Sequence, residues 1–228
     1  MPTSKTTPLK IALGPDTSVS GLLDMPPKAT ACLVLAHGAG AGMTHAFMQA
    51  VAAELAERGI ATLRYQFPYM EAGGKRPDPP KLAHAAVRAA VEAASHEAKA
   101  LPLFAGGKSF GGRMTSQAQA LSPLPGVNGL VFFGFPLHAA GKPSNERGAH
   151  LNDVKVPMLF LQGTRDALAE LDLLKPLVKS LGKRATLELA EDADHSFHVP
   201  ARTGRKDPEI RAALLDVAAA WMKKTVGS

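Results

Sequence analysis

The sequence predicts an α/β protein in which helices cover both faces of a mainly parallel sheet. Two observations carry this reading. From Cys32 onward, short apolar runs alternate with segments of helical periodicity. The runs, such as Cys32–Ala36 (CLVLA), are apolar throughout, as expected of strands buried on both faces. Parallel neighbours need crossovers, and the intervening helical segments supply them.

The elements follow in order. Residues 1–8 are polar and carry Pro2 and Pro8; a flexible N-terminal segment is expected there. Cys32–Ala36 ends at His37-Gly38 and reads as a buried strand. Phe47, Val51 and Leu55 recur at four-residue spacing, giving a helix that stops near Gly59. Ile60–Tyr65 is the next strand, and a Pro/Gly-rich loop, Phe67–Pro80, precedes an Ala-rich helix over Leu82–Ala98. Strand Leu101–Ala105 runs into a helix over Ser109–Leu121, and Leu130–Phe135 and Met158–Gln162 are strands. Between the last two, Gly134–Pro157 spans 24 residues. A crossover helix is expected there within Asn145–Val154, which leaves too little chain for a folded cap. Ala167–Leu181 is helical and Ala185–Ala190 is a strand. In the last helix Asp207 is expected to cap, Pro208 suits the first turn, and Ile210, Ala213, Leu214, Val217 and Trp221 form one stripe. No repeat or interdomain linker interrupts the pattern, so one domain over 1–228 is expected.

Composition narrows the function. The chain has 228 residues, 46% hydrophobic and 20% charged, enough to bury a core without staples. Its 21 Gly and 18 Pro fall short of a low-complexity chain. A single cysteine, Cys32, excludes an internal disulfide and a multi-cysteine zinc site. Met1–Gly14 lacks the apolar segment of a secretory signal, and no run approaches a membrane span, so a cytoplasmic location with no membrane partner is expected. The net charge is +6, but the basic residues are scattered, and one adjacent pair, Lys75-Arg76, sits in the Pro/Gly loop. With one Trp and two Tyr there is little for bases to stack on, and no nucleic-acid partner is expected.

In α/β sheets ligands collect beyond the carboxyl ends of the strands, so the chemistry should lie there. After Leu101–Ala105 the chain reads Gly106-Gly107-Lys108-Ser109-Phe110-Gly111-Gly112. Gly107-x-Ser109-x-Gly111 is a nucleophile elbow in its expected strand–helix context. A nucleophile on so sharp a turn needs small residues two before and two after it. The helix behind it offers backbone N–H groups to a developing oxyanion. The same stretch is not a P-loop, because position 102 is Pro where that motif needs Gly. Nor is Gly38-x-Gly40 a dinucleotide fingerprint: Met43 occupies its third place, and the next strand ends Arg64-Tyr65-Gln66 without the ribose-binding acid.

A serine needs a base, and the base an orienting acid. In the order Ser–acid–His, Asp166 follows strand Met158–Gln162 and His195 follows strand Ala185–Ala190. His198 is a rival base but lies further from the strand end. A turn Asp is otherwise a capping residue. Asp192, Asp194, His195 and His198 also suggest a metal site, but no second ligand cluster supports it. His37-Gly38-Ala39-Gly40 follows the first strand, where a glycine-rich loop lets backbone approach a substrate; an ordinary turn with a buried His37 is the plainer alternative. Met43, Met70, Phe110, Leu137 and Phe197 lie near the expected strand-end edge and are candidate substrate contacts, or equally core.

Together these residues resemble the α/β-hydrolase superfamily, and most of all its small lidless branch of dienelactone-hydrolase-like serine hydrolases. The matching blocks are His37–Met43 (HGAGAGM), Leu63–Met70 (LRYQFPYM), Gly106–Gln117 (GGKSFGGRMTSQ), Phe132–His138 (FFGFPLH), Leu159–Asp166 (LFLQGTRD) and Asp192–Phe197 (DADHSF). The resemblance implies an α/β-hydrolase fold without a cap domain, Ser109 as nucleophile, His195 as base and Asp166 as orienting acid. It implies oxyanion donation from the backbones of Ala39 and Phe110. Dienelactone hydrolase itself typically carries Cys where this chain has Ser109. The expected function is a serine carboxylesterase acting on a small acyl substrate, with no metal or organic cofactor. The alternative is a catalytically weak or inactive protein of the same fold serving in protein interactions.

Overall fold

A computed structural model describes residues 4–227. The apolar run after Thr30 forms strand β3 (Ala31–Ala36) once the hairpin β1 (Lys5–Ala12) and β2 (Ser18–Met25) has been laid down. In β3 successive side chains point to opposite faces. Cys32, Val34 and Ala36 enter one core; Ala31, Leu33 and Leu35 enter the other. Burial pushes the Cys32 thiol up to about 12, so it packs as a small hydrophobe. Helix α1 (Ala46–Glu57) then covers the second face with Met48, Val51 and Leu55, and the chain returns through β4 (Ile60–Tyr65).

The short α2 (Pro68–Glu71) and long α3 (Pro80–Glu97) lead to β5 (Leu103–Lys108), α4 (Phe110–Leu121) and β6 (Val127–Phe133). A 3-10 helix, Glu146–Asp153, bridges to β7 (Met158–Gly163); α5 (Leu171–Ser180), β8 (Ala185–Ala190) and α6 (Asp207–Val226) complete the chain. The eight strands form one sheet in the order β1-β2-β4-β3-β5-β6-β7-β8. β1 and β2 are antiparallel, as are β2 and β4, and every other pair is parallel. Apolar residues of α3, α4 and α5 pack in one core, those of α1 and α6 in the other. Among the described residues no cap domain covers the carboxyl ends of the strands. No described helix is long and apolar enough to cross a membrane.

Four differences from the sequence reading have physical causes. The flexible segment expected at 1–8 gives way at Lys5–Pro8, which pair with Leu22–Met25; residues 1–3 lie outside the described set. Pro8 is tolerated because β1 is an edge strand. β2 is anchored by Asp24, whose carboxylate meets the buried Arg64 guanidinium of β4 at 2.8 Å. The crossover at Asn145–Val154 is a 3-10 helix. α5 starts at Leu171, not Ala167, because the Asp166 carboxylate accepts from the Leu168 N–H and holds a turn there. Lys206 rather than Asp207 occupies the cap position of α6. Asp207 instead reaches back to the Val199 N–H and His198 Nδ1.

Candidate active site

Three loops at the carboxyl ends of β5, β7 and β8 converge. The first is the turn into α4. Ser109 adopts φ 50° and ψ −114°, a left-handed conformation that costs a non-glycine residue on the order of 1–3 kcal/mol. The turn is possible because its neighbours are bare. A Cβ on Gly107 would sit 2.3 Å from the Ala36 carbonyl oxygen, and one on Gly111 2.5 Å from that of His37. The Ser109 N–H donates to the Phe133 carbonyl at 3.1 Å, fixing the elbow against β6.

The second loop presents Asp166, whose side chain is 0% exposed. Oδ2 accepts from His195 Nδ1 at 2.7 Å and from the Gln162 amide; Oδ1 accepts from the Leu168 N–H at 2.8 Å. Gln162 is itself fixed, its Oε1 accepting from the Phe135 N–H at 2.9 Å. The third loop brings His195, whose Nε2 lies 2.8 Å from Ser109 Oγ. An ionised carboxylate only accepts, so His195 carries its proton on Nδ1 and turns a lone pair on Nε2 toward the serine hydroxyl. The structure therefore brings together Ser109, His195 and Asp166.

The other residues of the Asp/His stretch do different work. Asp194 Oδ1 accepts from the N–H groups of Ser196 and His198, closing the turn that carries His195. Asp192 meets Arg202 at 3.4 Å on the surface. His198 is exposed and paired with Asp207 at 2.9 Å, away from Ser109. Among the described residues no group of three His, Cys, Asp or Glu side chains is placed to hold a metal ion.

His37 is fully buried and structural. Nδ1 donates to the Gly38 carbonyl at 2.7 Å and Nε2 accepts from the Phe67 N–H at 3.0 Å, while burial lowers its pKa. Tyr69 Oη donates to the Ala39 carbonyl at 2.8 Å, holding the glycine loop from beneath. Phe110 is the first residue of α4, so its N–H has no acceptor within the helix.

Two clefts meet at Ala39, Ser109 and Leu168. One, of about 400 Å³, has Ala41, Phe47, Met48, Lys108 and His195 in its walls. The other, of about 360 Å³, is bounded by Phe110, Arg113, Met114 and Arg147. Phe110 thus lies where a substrate contact was expected. Met43, Met70, Leu137 and Phe197 line neither cleft. Met43, Leu137 and Phe197 are buried, at 7%, 0% and 2% exposure, and half-buried Met70 packs against the core. Their apolar side chains gain more from the interior than from the rim.

Sequence reasoning passed over three polar residues. Gln162 is the one polar side chain of the otherwise apolar strand Met158–Gly163, which is the signal that could have singled it out. Tyr69 lies in a stretch read only as a Pro/Gly-rich loop. Lys108 fills the variable position before the nucleophile; its ammonium donates to the His195 carbonyl and lies 5.2 Å from the Phe197 ring centroid. Burial lowers the Lys108 pKa to about 8, against the opposing pull of Asp166 and Asp194.

An elbow serine after the fifth strand of an eight-stranded, mostly parallel sheet, with an Asp–His pair from later strands, defines the α/β-hydrolase class. Residues 29–223 match the alpha/beta hydrolase domain family, and the chain belongs to it. Solved structures share the fold. Dienelactone hydrolase from Anabaena variabilis superposes with a TM-score of 0.78 at 21% identity, over 97% of this chain and 98% of that one. A serine hydrolase without lid from Xanthomonas campestris gives 0.72 at 23%, over 96% and 95%. The esterase domain of a Rhodothermus marinus protein gives 0.72 at 16%, over 96% and 98%.

Proposed function

We propose that the protein is a serine hydrolase, a carboxylesterase that cleaves small or short-acyl esters through an acyl-enzyme on Ser109. The observation that carries the reading is the unbroken hydrogen-bond chain from Ser109 Oγ through His195 to buried Asp166. His195 Nε2 takes the hydroxyl proton as Ser109 Oγ attacks the carbonyl carbon. The tetrahedral oxyanion is held by the N–H groups of Ala39 and Phe110. Asp166 stabilises the imidazolium, which then protonates the departing alcohol. Water, deprotonated by His195, attacks the acyl-enzyme; collapse frees the acid and restores Ser109. The names of the esterase and serine hydrolase neighbours support the same reaction class.

The test is covalent labelling. A fluorophosphonate probe should modify Ser109, and Ser109→Ala should abolish labelling and cut ester turnover by on the order of a millionfold. Labelling at another serine would move the nucleophile. An unlabelled protein with no turnover on esters, thioesters or amides would favour an interaction role on this fold.

A further inference from the structure

We propose that the cleft between Arg113 and Arg147 is a carboxylate subsite, so that the substrate is a small ester whose acyl part ends in a free carboxylate, as in the half-ester of a dicarboxylic acid. The inference deepens the esterase reading and rests on Ser109 as nucleophile.

Arg113 and Arg147 both line one cleft that also contains Ser109. Arg113 follows Ser109 by four residues, so it rises one turn above the nucleophile on the same face of α4. Its guanidinium carbon lies 5.8 Å from the ring centroid of Phe110, the residue offered as oxyanion donor. Arg147 enters from the 3-10 helix after β6. Among the described residues neither arginine has a carboxylate partner within an ion-pair distance. Arg113 Nε is buried and donates to nothing. A buried donor without an acceptor is destabilising, and the guanidinium that carries it has no anion to balance its charge. Burial and the neighbouring Arg147 also pull the Arg113 pKa down, as expected for two like charges that lack a counterion.

The remaining walls sharpen the choice of ligand. Among the described residues Asp78 is the sole acid lining the cleft; its Oδ2 is engaged by the Tyr69 N–H, and that lining keeps one net positive charge. Pro77, Pro80, Met114, Pro136 and Leu168 supply apolar contact for a short methylene chain. A planar guanidinium fork suits a carboxylate in two-point contact. Direction follows from the chemistry. His195 lines the other cleft and must protonate the departing alcohol, so the alcohol leaves on that side and the acyl chain turns toward Arg113.

Monomethyl glutarate and dimethyl glutarate share one acyl chain and differ in its terminal charge. The wild-type protein should favour the monoester by about tenfold in kcat/KM, chiefly through KM, the equivalent of one charge-assisted hydrogen bond. Arg113→Gln and, on a separate element, Arg147→Gln should each bring that ratio toward one. Calorimetry with glutarate gives a readout independent of turnover: binding should be seen in wild type and be lost in both variants. An active enzyme with a ratio near one, or a ratio that survives both substitutions, overturns the subsite. So does faster turnover of acetoxyacetate, which carries its carboxylate on the alcohol side. Arginine-dependent glutarate binding without any ester turnover would retain the subsite and discard the esterase reading. Absence of both would discard both.

Discussion

Asp166 is held by more than the imidazole it faces. Gln162 and the Leu168 N–H also donate to its carboxylate, so the acceptor directed at His195 Nδ1 is fixed before substrate arrives. Asp166→Asn should keep the fold, by circular dichroism and Tm, yet lower kcat by about 10⁴-fold, because the amide no longer enforces the Nδ1–H tautomer. Full activity in that variant, with loss in Asp192→Asn, would place the acid elsewhere. Lys108 acts on the same histidine from its carbonyl side. Its pKa falls from 10.5 to about 8 on folding, so folding disfavours the charged form. Below about 8 both states are protonated and the whole cost is present. Between 8 and 10.5 the unfolded chain binds the extra proton and stability rises with pH; above that window the cost is gone. Lys108→Met should therefore gain up to about 3 kcal/mol at pH 7, less about 1 for the lost hydrogen bond. That gain should shrink in urea titrations as pH climbs to 10.5. A pH-independent difference would mean that Lys108 is not charged against its surroundings. Turnover should fall in the same variant, since the His195 carbonyl loses its anchor.

Among the elements, the elbow depends on backbone contacts that only glycine permits. Gly111→Ala would drive a methyl group into the carbonyl of His37 and the backbone of Ala36. The expected loss is about 1–3 kcal/mol of stability, with turnover lost beyond what the fall in Tm explains, because Phe110 and Ser109 are displaced together. Wild-type turnover in a folded Gly111→Ala protein would show that the turn adapts. This is also the scale at which sequence says most. Ile60–Tyr65 and Ala185–Ala190 are the observed β4 and β8 without a residue's change, since each run is sharply bounded. Ser109, Asp166 and His195 were legible because strand ends deliver side chains to one edge of a parallel sheet. The hairpin of β1 and β2 was not legible. Its strands are partly exposed, and β1 reads KTTPLKIA, a pattern a loop could share. The cleft walls were hidden for another reason: an apolar residue near a strand end has the same signature whether it faces core or ligand. Leu137 and Phe197 went inward, whereas Leu168, two residues past Asp166, lines both clefts.

Taken as a molecule, the chain leaves the carboxyl edge of its sheet open among the described residues. The stretch after β6 that would have to carry a cap is occupied by the 3-10 helix Glu146–Asp153, which packs Leu151 into the core and carries Arg147 at the cleft. The Phe67–Pro80 loop holds only the four-residue α2, and its Asp78 caps the Tyr69 N–H rather than spanning the site. Each cleft encloses no more than about 400 Å³, near the lower end for a small-molecule site. A methylene that is buried contributes about 0.8 kcal/mol, but one that projects past the rim contributes almost nothing. Along a series of neutral p-nitrophenyl esters, kcat/KM should therefore rise while carbons still fit and then level or fall after a few, with short chains preferred. With no element to open, rate should pass through the micelle concentration of the longer esters without a jump. A tenfold preference for long acyl chains, or activation at a lipid interface, would require a segment that closes over Ser109 and would contradict the open edge described by the fold.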